Sequence, residues 1–116
     1  MTKKTSLYLI NPASSFPTYY NIEVLSANGC MPAALIADLA IVTVAGMAPS
    51  DFAVDLVDEN ISPVNFDISA DFVGITGKVN QWQRMALIAK EFRRRGKIVI
   101  MGGPFASLSP DVVRPY

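Results

Sequence analysis

Residues 97–107 read KIVIMGGPFAS, and this stretch decides the class of fold. Residues 98–101 form an unbroken apolar run, which is typical of a parallel strand that is buried on both faces. The run stops at Gly102, Gly103 and Pro104, a turn that lets backbone come close to a ligand. Because open α/β sheets bind ligands at the carboxyl ends of their strands, this stretch predicts a ligand-binding α/β domain.

Three further apolar runs predict the other strands of the sheet. They cover Leu7–Ile10, Ala53–Val57 and Phe72–Thr76, and the fourth strand is expected at Lys97–Met101. Helical patterns lie between most of these runs. Strands that alternate with helices form right-handed βαβ units, so the sequence predicts an α/β domain with a mostly parallel sheet.

Two helices are predicted in detail. The first runs from Pro32 to about Met47, where Gly46 and Pro49 mark its end, and it is apolar nearly all round, which indicates a second packing surface. The second has Asn80 as its expected cap, with Gln83 completing a capping box. Its apolar face is expected to contain Trp82, Met85, Ile88, Ala89 and Phe92, and its end is expected at Arg93, Arg94, Arg95 and a left-handed Gly96.

Composition excludes several classes of protein. The chain has 116 residues, of which 51% are hydrophobic, so a single folded domain is expected. Ten basic residues balance ten acidic ones, which argues against binding to nucleic acid or to an anionic membrane. No signal peptide is evident, and the apolar stretch Pro32–Ala48 is short for a membrane span and contains Asp38. A cytoplasmic protein is expected.

The near absence of histidine and cysteine excludes several kinds of catalytic and metal-binding site. The chain contains no histidine, so it offers no imidazole as a general base or as a metal ligand. Cys30 is the single cysteine, which rules out an internal disulfide or a cysteine-ligated iron–sulfur cluster built from this chain alone. No charged or histidine neighbour activates Cys30, and it is not predicted to be a nucleophile. We predict neither catalytic residues nor metal ligands in this chain.

The sequence lacks the motifs of three better-known classes of α/β domain. A dinucleotide-binding domain needs a glycine-rich turn after its first strand, where residues 11–15 read NPASS. Asp58 resembles a ribose-binding acid, but the turn that should accompany it is missing. A Walker-type loop is also absent, and so are the acidic residues that a receiver domain carries after its first strand.

Several short motifs occur in a recognisable order: LINP at 9–12, MP at 31–32, VDE at 57–59, ADFVGIT at 70–76, RRGK at 94–97 and MGGPFAS at 101–107. Together they resemble the amino-terminal cobalamin-binding domain of cobalamin-dependent radical S-adenosylmethionine enzymes, over nearly the whole chain. The resemblance implies a flavodoxin-like, three-layer sandwich with strand order 2-1-3-4-5. Because the chain stops at residue 116, the fifth strand is expected to be truncated and the order here to be 2-1-3-4. It also implies a corrin ring over the carboxyl ends of the strands.

Two features depart from other cobalamin domains. The Asp-x-His-x-x-Gly motif, whose histidine replaces the nucleotide base below cobalt, cannot occur in a chain without histidine. The radical enzymes commonly lack that ligand, so this departure agrees with the resemblance. The usual Pro-Leu-Gly-Leu start of the first helix reads PAAL at residues 32–35, which departs from the family.

By this resemblance, the turns that follow the strands hold the cofactor. Backbone amides of the glycine pair would reach its amide side chains or nucleotide tail, and the open amides of the turn after the third strand would receive a ligand oxygen. The loop through Tyr19 and Tyr20 could cover the corrin. Alternatively, the glycines form only a tight turn, Asn80 only caps its helix, and the tyrosines only pack. The predicted cofactor-binding residues are Asn11, Pro12, Thr76, Gly77, Lys78, Asn80, Gly102, Gly103, Pro104 and Ser107.

Other polar residues are expected to be structural. Asp58 and Glu59 should hold loops by hydrogen bonds, and the arginine cluster at 93–95 should complete a helix terminus. Trp82 is expected to pack in the core.

The functional hypothesis is a cobalamin-binding module that performs no chemistry alone and belongs to a radical S-adenosylmethionine enzyme, by resemblance a methyltransferase. A radical barrel domain with S-adenosylmethionine and a 4Fe-4S cluster is expected downstream, because the chain stops at residue 116 where another strand should follow. Without that strand, the fourth strand would be an open edge that allows a homodimer. The alternative is a non-catalytic regulatory or protein-interaction domain that docks through its apolar first helix.

Overall fold

The computed structural model describes residues 3–14 and 39–116, which form an α/β domain. Its strands are β1 (Thr5–Asn11), β2 (Phe52–Asp58), β3 (Phe72–Thr76) and β4 (Ile98–Gly102). Its helices are α1 (Ala40–Met47), α2 (Trp82–Arg94), α3 (Pro104–Leu108) and α4 (Pro110–Val113), and a 3-10 turn at Val79–Gln81 precedes α2.

The four strands are parallel and lie in the order β2-β1-β3-β4. At the centre of the sheet, Leu9 aligns with Leu56 on one side and with Gly74 on the other, and Gly74 aligns with Ile100. The class of fold and the strand order predicted from the sequence are therefore confirmed. Each predicted strand is also present, and the observed boundaries differ from the predicted ones by at most two residues.

One face of the sheet packs against α2 and forms the core. Four of the five apolar positions predicted for this face of α2, Met85, Ile88, Ala89 and Phe92, recur at helical spacing and are completely buried. The ring of Phe92 lies at their centre, 5.1 Å from the ring of Phe66 and 6.3 Å from that of Tyr8, measured between centroids. The principal buried side chains of this core are Tyr8, Ile10, Val73, Ile75, Met85, Ile88, Ala89 and Phe92.

Helix α1 lies at the opposite face of the sheet. Ile41 is buried there, whereas Val42 and Met47 face outward and are 45% and 79% exposed. Helix α1 ends at Met47, as predicted, while the expected first half of this helix, from Pro32 to residue 38, lies outside the described residues. The outward-facing side chains agree with the predicted second apolar surface.

The start of α2 differs from the prediction. Its N-cap position is Gln81, without a side-chain capping hydrogen bond, so the predicted Asn80 cap and its Gln83 capping box are wrong. The 3-10 turn shifts the helix start, and the Asn80 side chain bonds Ser14 instead. The predicted end is correct, because Gly96 adopts φ +78° and both Arg94 and Arg95 pair with Glu91.

The other aromatic contact of α2 involves the last residue of the chain. Trp82, half-buried, stacks on Phe105 at 4.8 Å and meets the edge of Tyr116 at 5.3 Å, which supports its predicted packing role. Within the described ranges β4 is an edge strand, as expected, and α4 occupies the end of the chain. The prediction that residues 98–101 are buried on both faces is wrong, because Ile98 and Ile100 of this edge strand are 58% and 52% exposed. Homodimerisation through that edge stays a prediction.

No helix of the described residues is long and apolar enough to cross a membrane.

Candidate functional site

Three strands end at the same level at the carboxyl edge of the sheet. Thr76 of β3 aligns with Gly102 of β4. Ile10 of β1 aligns with Ile75 of β3, so the next residues of the two strands, Asn11 and Thr76, also lie side by side. The predicted site residues Asn11, Thr76 and Gly102 are therefore neighbours across the edge. This is the edge where open α/β sheets bind ligands.

An apolar cleft opens below this edge, between α1 and the sheet. Its volume is about 210 Å³. Gly74 belongs to the lining of this cleft. A Cβ atom at this position would come within 2.7 Å of Leu9 Cδ2, so a larger residue there would crowd the Leu9 side chain. The cleft is lined by Leu9, Ala40, Ile41, Val44, Gly74, Ile75, Thr76, Ile100, Gly102 and Gly103.

Gly103 adopts a backbone conformation that L-residues rarely take, with φ +89° and ψ −178°. A Cβ atom would lie 2.6 Å from Thr76 Oγ1 and 3.0 Å from the Gly77 nitrogen. Gly102 differs, because a Cβ atom there would meet nothing within 4 Å. The glycine pair thus combines one tightly packed residue with one that leaves the cleft open.

A buried glutamine joins the turns after β1 and β3. The Lys78 N–H donates to Gln81 Oε1 at 2.8 Å, and Gln81 Nε2 donates to the Pro12 carbonyl at 2.7 Å and to Asn11 Oδ1 at 2.9 Å. Gln81 and Asn11 are 6% and 3% exposed. All the polar hydrogens and one oxygen lone pair of the Gln81 amide are engaged, so the two turns are held together.

The same two turns are tied by a second hydrogen bond. Asn80 Nδ2 donates to Ser14 Oγ at 2.6 Å. Asn80 is therefore committed to the loop after β1. The Asn80 side-chain amide thus uses one of its donor hydrogens within the protein, on Ser14.

Glu59 adds an ion pair on the same side. It accepts the Ala13 N–H at 2.9 Å and is bound by Arg84 through two nitrogens, with Arg84 Nη2 at 2.6 Å from Oε2. Burial acts to raise the pKa of Glu59, but the hydrogen bonds from Arg84 and Ala13, with the charge of Arg84, outweigh it, and the net pKa lies below the usual 4.5. Asp58 accepts hydrogen bonds from Asn60, so both acids hold loops as predicted.

The Glu59 ion pair predicts a pH-dependent stability. Because the folded-state pKa of Glu59 is depressed, its contribution is present above about pH 4.5, the unfolded value, and is lost as pH falls through the folded pKa. Glu59→Gln should lower the free energy of unfolding by about 1–2 kcal/mol at pH 7. Urea unfolding at several pH values checks this.

The difference between wild type and Glu59→Gln should shrink below about pH 4.5. Asp111→Asn, at an exposed position, is the matched control and should change stability by less than about 0.5 kcal/mol. A difference that stays constant down to pH 3 would contradict the assignment.

The predicted site residues divide into two groups. Thr76, Gly102 and Gly103 line the apolar cleft. The contacts that join the turns after β1 and β3 include Asn11, Pro12 and the Lys78 N–H, which bind Gln81, and Asn80, which binds Ser14.

The remaining predicted residues lie around the turns. Gly77 is buried against Met85, Lys78 is exposed, and Pro104 begins α3. Ser107 is exposed on α3 and does not line the cleft. Tyr19, Tyr20 and Cys30 lie outside the described residues.

Three contributors were missed by the sequence reasoning: Gly74, Gln81 and Arg84. A glycine inside an apolar strand often marks a close approach, so the signal for Gly74 was present. Gln81 and Arg84 carried no such signal, since the residues that Gln81 joins across the two turns, Asn11 and Pro12, and the partner of Arg84, Glu59, lie far away in sequence.

The chemistry available at this edge is binding. In the described part of the chain, no group of three or more histidine, cysteine, aspartate or glutamate residues could hold a metal ion. The cleft offers apolar walls, one hydroxyl group from Thr76 and the backbone of two glycines. Such a surface suits a flat apolar group that carries polar substituents at its rim.

Two curated proteins are similar to this chain, and both are named as methyltransferases. The bacteriochlorophyllide d C-8(2)-methyltransferase of Chlorobaculum tepidum is 36% identical over 74 residues, which cover 63% of this chain and 16% of that protein. An uncharacterized methyltransferase of Synechocystis sp. is 36% identical over 102 residues, which cover 84% of this chain and 18% of that protein. The chain therefore spans less than a fifth of the length of either relative.

Other comparisons find nothing comparable. No family model matches the chain, and no solved structure matches it.

Proposed function

We propose that this chain is the cobalamin-binding module of a radical S-adenosylmethionine methyltransferase. The observation that carries the proposal is the glycine-lined apolar cleft at the carboxyl edge of the sheet. It lies where the motif resemblance puts the cofactor, and its lining includes Thr76, Gly102 and Gly103, which the sequence selected as cofactor-binding residues.

The residues of the cleft fit a cobalamin. The nucleotide tail of this cofactor carries a flat aromatic base, and the apolar walls formed by Leu9, Ile41 and Ile100 suit such a group. Gly74 leaves room between these walls, since a side chain there would take up part of the space. Thr76 and the Gly103 backbone would provide polar contacts at the rim.

The role of this chain would be to hold and orient the cofactor. Bound cobalamin would supply the methyl-transfer chemistry. The chain has no histidine, so it would offer no imidazole to the cobalt, and binding by this chain would depend on shape and on backbone contacts. S-adenosylmethionine and a 4Fe-4S cluster would belong to another domain of a longer protein, because a single cysteine cannot hold the cluster.

The similar proteins support the methyltransferase part of the proposal. Both are named as methyltransferases, and one of them is named for bacteriochlorophyllide d. The methyl acceptor in the present case is not implied by that name, since the similarity covers only 16% of that relative.

A titration of the folded 116-residue chain with cobalamin tests the proposal, with the visible spectrum of the cofactor as the readout. Wild type should bind. Gly74→Val should weaken binding at least tenfold, because its side chain fills the cleft while only the flexible end of Leu9 must move. Ala53→Val, which enlarges an exposed position of β2, is the matched control and should bind as wild type does.

Two results would contradict the proposal. One is a wild-type chain, shown to be folded by circular dichroism, that does not change the cobalamin spectrum, provided that the barrel-containing protein also fails to bind. The other is equal binding by wild type and by Gly74→Val.

A second candidate function is a non-catalytic regulatory or interaction domain. It is favoured by α1, where Val42 and Met47 are 45% and 79% exposed, and by the preceding residue Leu39, which is 65% exposed. Such a domain would ignore cobalamin and bind a protein through this helix. The same titration separates the two candidates, since only the cobalamin-binding module gives a spectral change that Gly74→Val reduces.

A further inference from the structure

The orientation of the Gln81 amide is fixed by two backbone groups. The Lys78 N–H can only donate, so the group facing it must be Gln81 Oε1, and the Pro12 carbonyl can only accept, so Gln81 Nε2 must face it. Neither assignment depends on another side chain. The remaining hydrogen of Gln81 Nε2 points to Asn11.

The orientation of Asn11 follows from that of Gln81. Because Gln81 presents a donor, Asn11 must present its acceptor, Oδ1, which lies 2.9 Å away. The donor end of the Asn11 amide, Nδ2, is thereby turned away from Gln81. Within residues 3–14 and 39–116, no group accepts a hydrogen bond from Asn11 Nδ2.

Asn11 Nδ2 is nevertheless accessible. No fully buried side-chain nitrogen or oxygen in the described part of the chain lacks a partner, so an unpartnered Nδ2 has to be reachable from outside, although Asn11 as a whole is only 3% exposed. Asn11 ends β1 beside Thr76, at the ligand edge of the sheet. A held donor at this place is suited to the carbonyl oxygen of a ligand.

We infer that Gln81 is a positioning residue that orients Asn11 so that Asn11 Nδ2 donates a hydrogen bond to a side-chain amide carbonyl of bound cobalamin. This inference rests on the proposed function for the identity of the ligand. The orientation of Asn11 depends only on the contacts of Gln81, so the two parts can be tested separately.

The orientation is tested without ligand by hydrogen exchange of the side-chain amides, measured by NMR on the 116-residue chain. In wild type, the Asn11 amide protons should exchange with water faster than those of Gln81, which both have acceptors. In Gln81→Glu, the new carboxylate only accepts, so the Asn11 amide should turn its Nδ2 inward and its protons should become at least tenfold slower. Gln83→Glu makes the same change at an exposed position of α2 and should leave Asn11 unchanged.

The hydrogen bond to the ligand is tested by cobalamin titration. Gln81→Glu and Asn11→Ala should each weaken binding about tenfold, the effect of losing one hydrogen bond. The double variant should bind about as weakly as either single variant, because Gln81 acts through Asn11. A purely structural role of Gln81 predicts additive losses of about a hundredfold, and that result would overturn the inference.

The possible failures can be told apart. Slow exchange of the Asn11 amide in wild type, or no change of it in Gln81→Glu, overturns the orientation and with it the inference. If neither wild type nor the barrel-containing protein binds cobalamin, the proposed function and the donation to cobalamin both fail, while the orienting role of Gln81 is decided by the exchange rates.

Discussion

Gly103→Ala is expected to destabilise the chain by about 2–4 kcal/mol and to abolish binding at the cleft. The backbone of Gly103, with φ +89° and ψ −178°, lies in a region that is almost restricted to glycine, which alone costs another residue about 1–3 kcal/mol. The new Cβ would also lie 3.0 Å from the Gly77 nitrogen, and backbone cannot move as a flexible side chain does. Urea unfolding and cobalamin titration measure the two effects.

Gly102→Ala is the matched control for the stability effect. A Cβ atom at Gly102 meets nothing within 4 Å, so its free energy of unfolding should stay within about 1 kcal/mol of wild type. Because the added methyl group enters the cleft region, this variant should bind cobalamin more weakly than wild type. Equal stability losses for the two alanine variants would show that the conformation of Gly103 is not the cause.

Phe92→Ala is expected to be the most destabilising substitution in the core. Phe92 is completely buried between α2 and the sheet, where its ring contacts Phe66 and Tyr8. Truncation of a buried phenylalanine costs about 3–5 kcal/mol, which is a large part of the stability of an ordinary domain. Denaturant unfolding followed by circular dichroism measures the loss.

Two other variants keep this prediction testable if Phe92→Ala does not fold. Phe92→Leu leaves a smaller cavity and should lose about 1–2 kcal/mol. Leu87→Ala on the same helix removes a side chain that is 59% exposed and should lose less than about 1 kcal/mol. A Phe92→Leu variant as stable as wild type would contradict the central packing role of this ring.

The sheet could be predicted from the sequence because its signals are local. The apolar runs that end at Ile10, Thr76 and Met101 are strands, and the helical spacing of Met85, Ile88 and Phe92 is read directly along the chain. The strand boundaries are less accurate because Asn11, Asp58 and Gly102 continue the ladder without being apolar.

The helix start shows how a local signal can be misleading. Asn80 and Gln83 have the spacing of a capping box, but the 3-10 turn at Val79–Gln81 shifts the helix start and commits Asn80 to Ser14. The true pairing of Lys78 with Gln81 has the same spacing two residues earlier. A search for helix caps in the sequence misses this pairing, because its first residue is a lysine and lysine is not a typical capping residue.

The candidate site was predictable only in part. Its glycines and Thr76 follow strands and were found from that position, whereas Gln81 has partners about 70 residues away. No pattern within one segment reveals such a contact. The same reason explains why the ion pair between Glu59 and Arg84 was expected only as a loop contact of Glu59.

The strand order also has a consequence for how the site forms during folding. Strands β3 and β4 are close in sequence and share helix α2, whereas β1 lies between two strands that are both distant from it along the chain. Contacts between distant segments require the closure of long loops and tend to form late. Asn11, Thr76 and Gly102 therefore become neighbours only once β1 has joined the sheet, since β3 and β4 alone supply only Thr76 and Gly102.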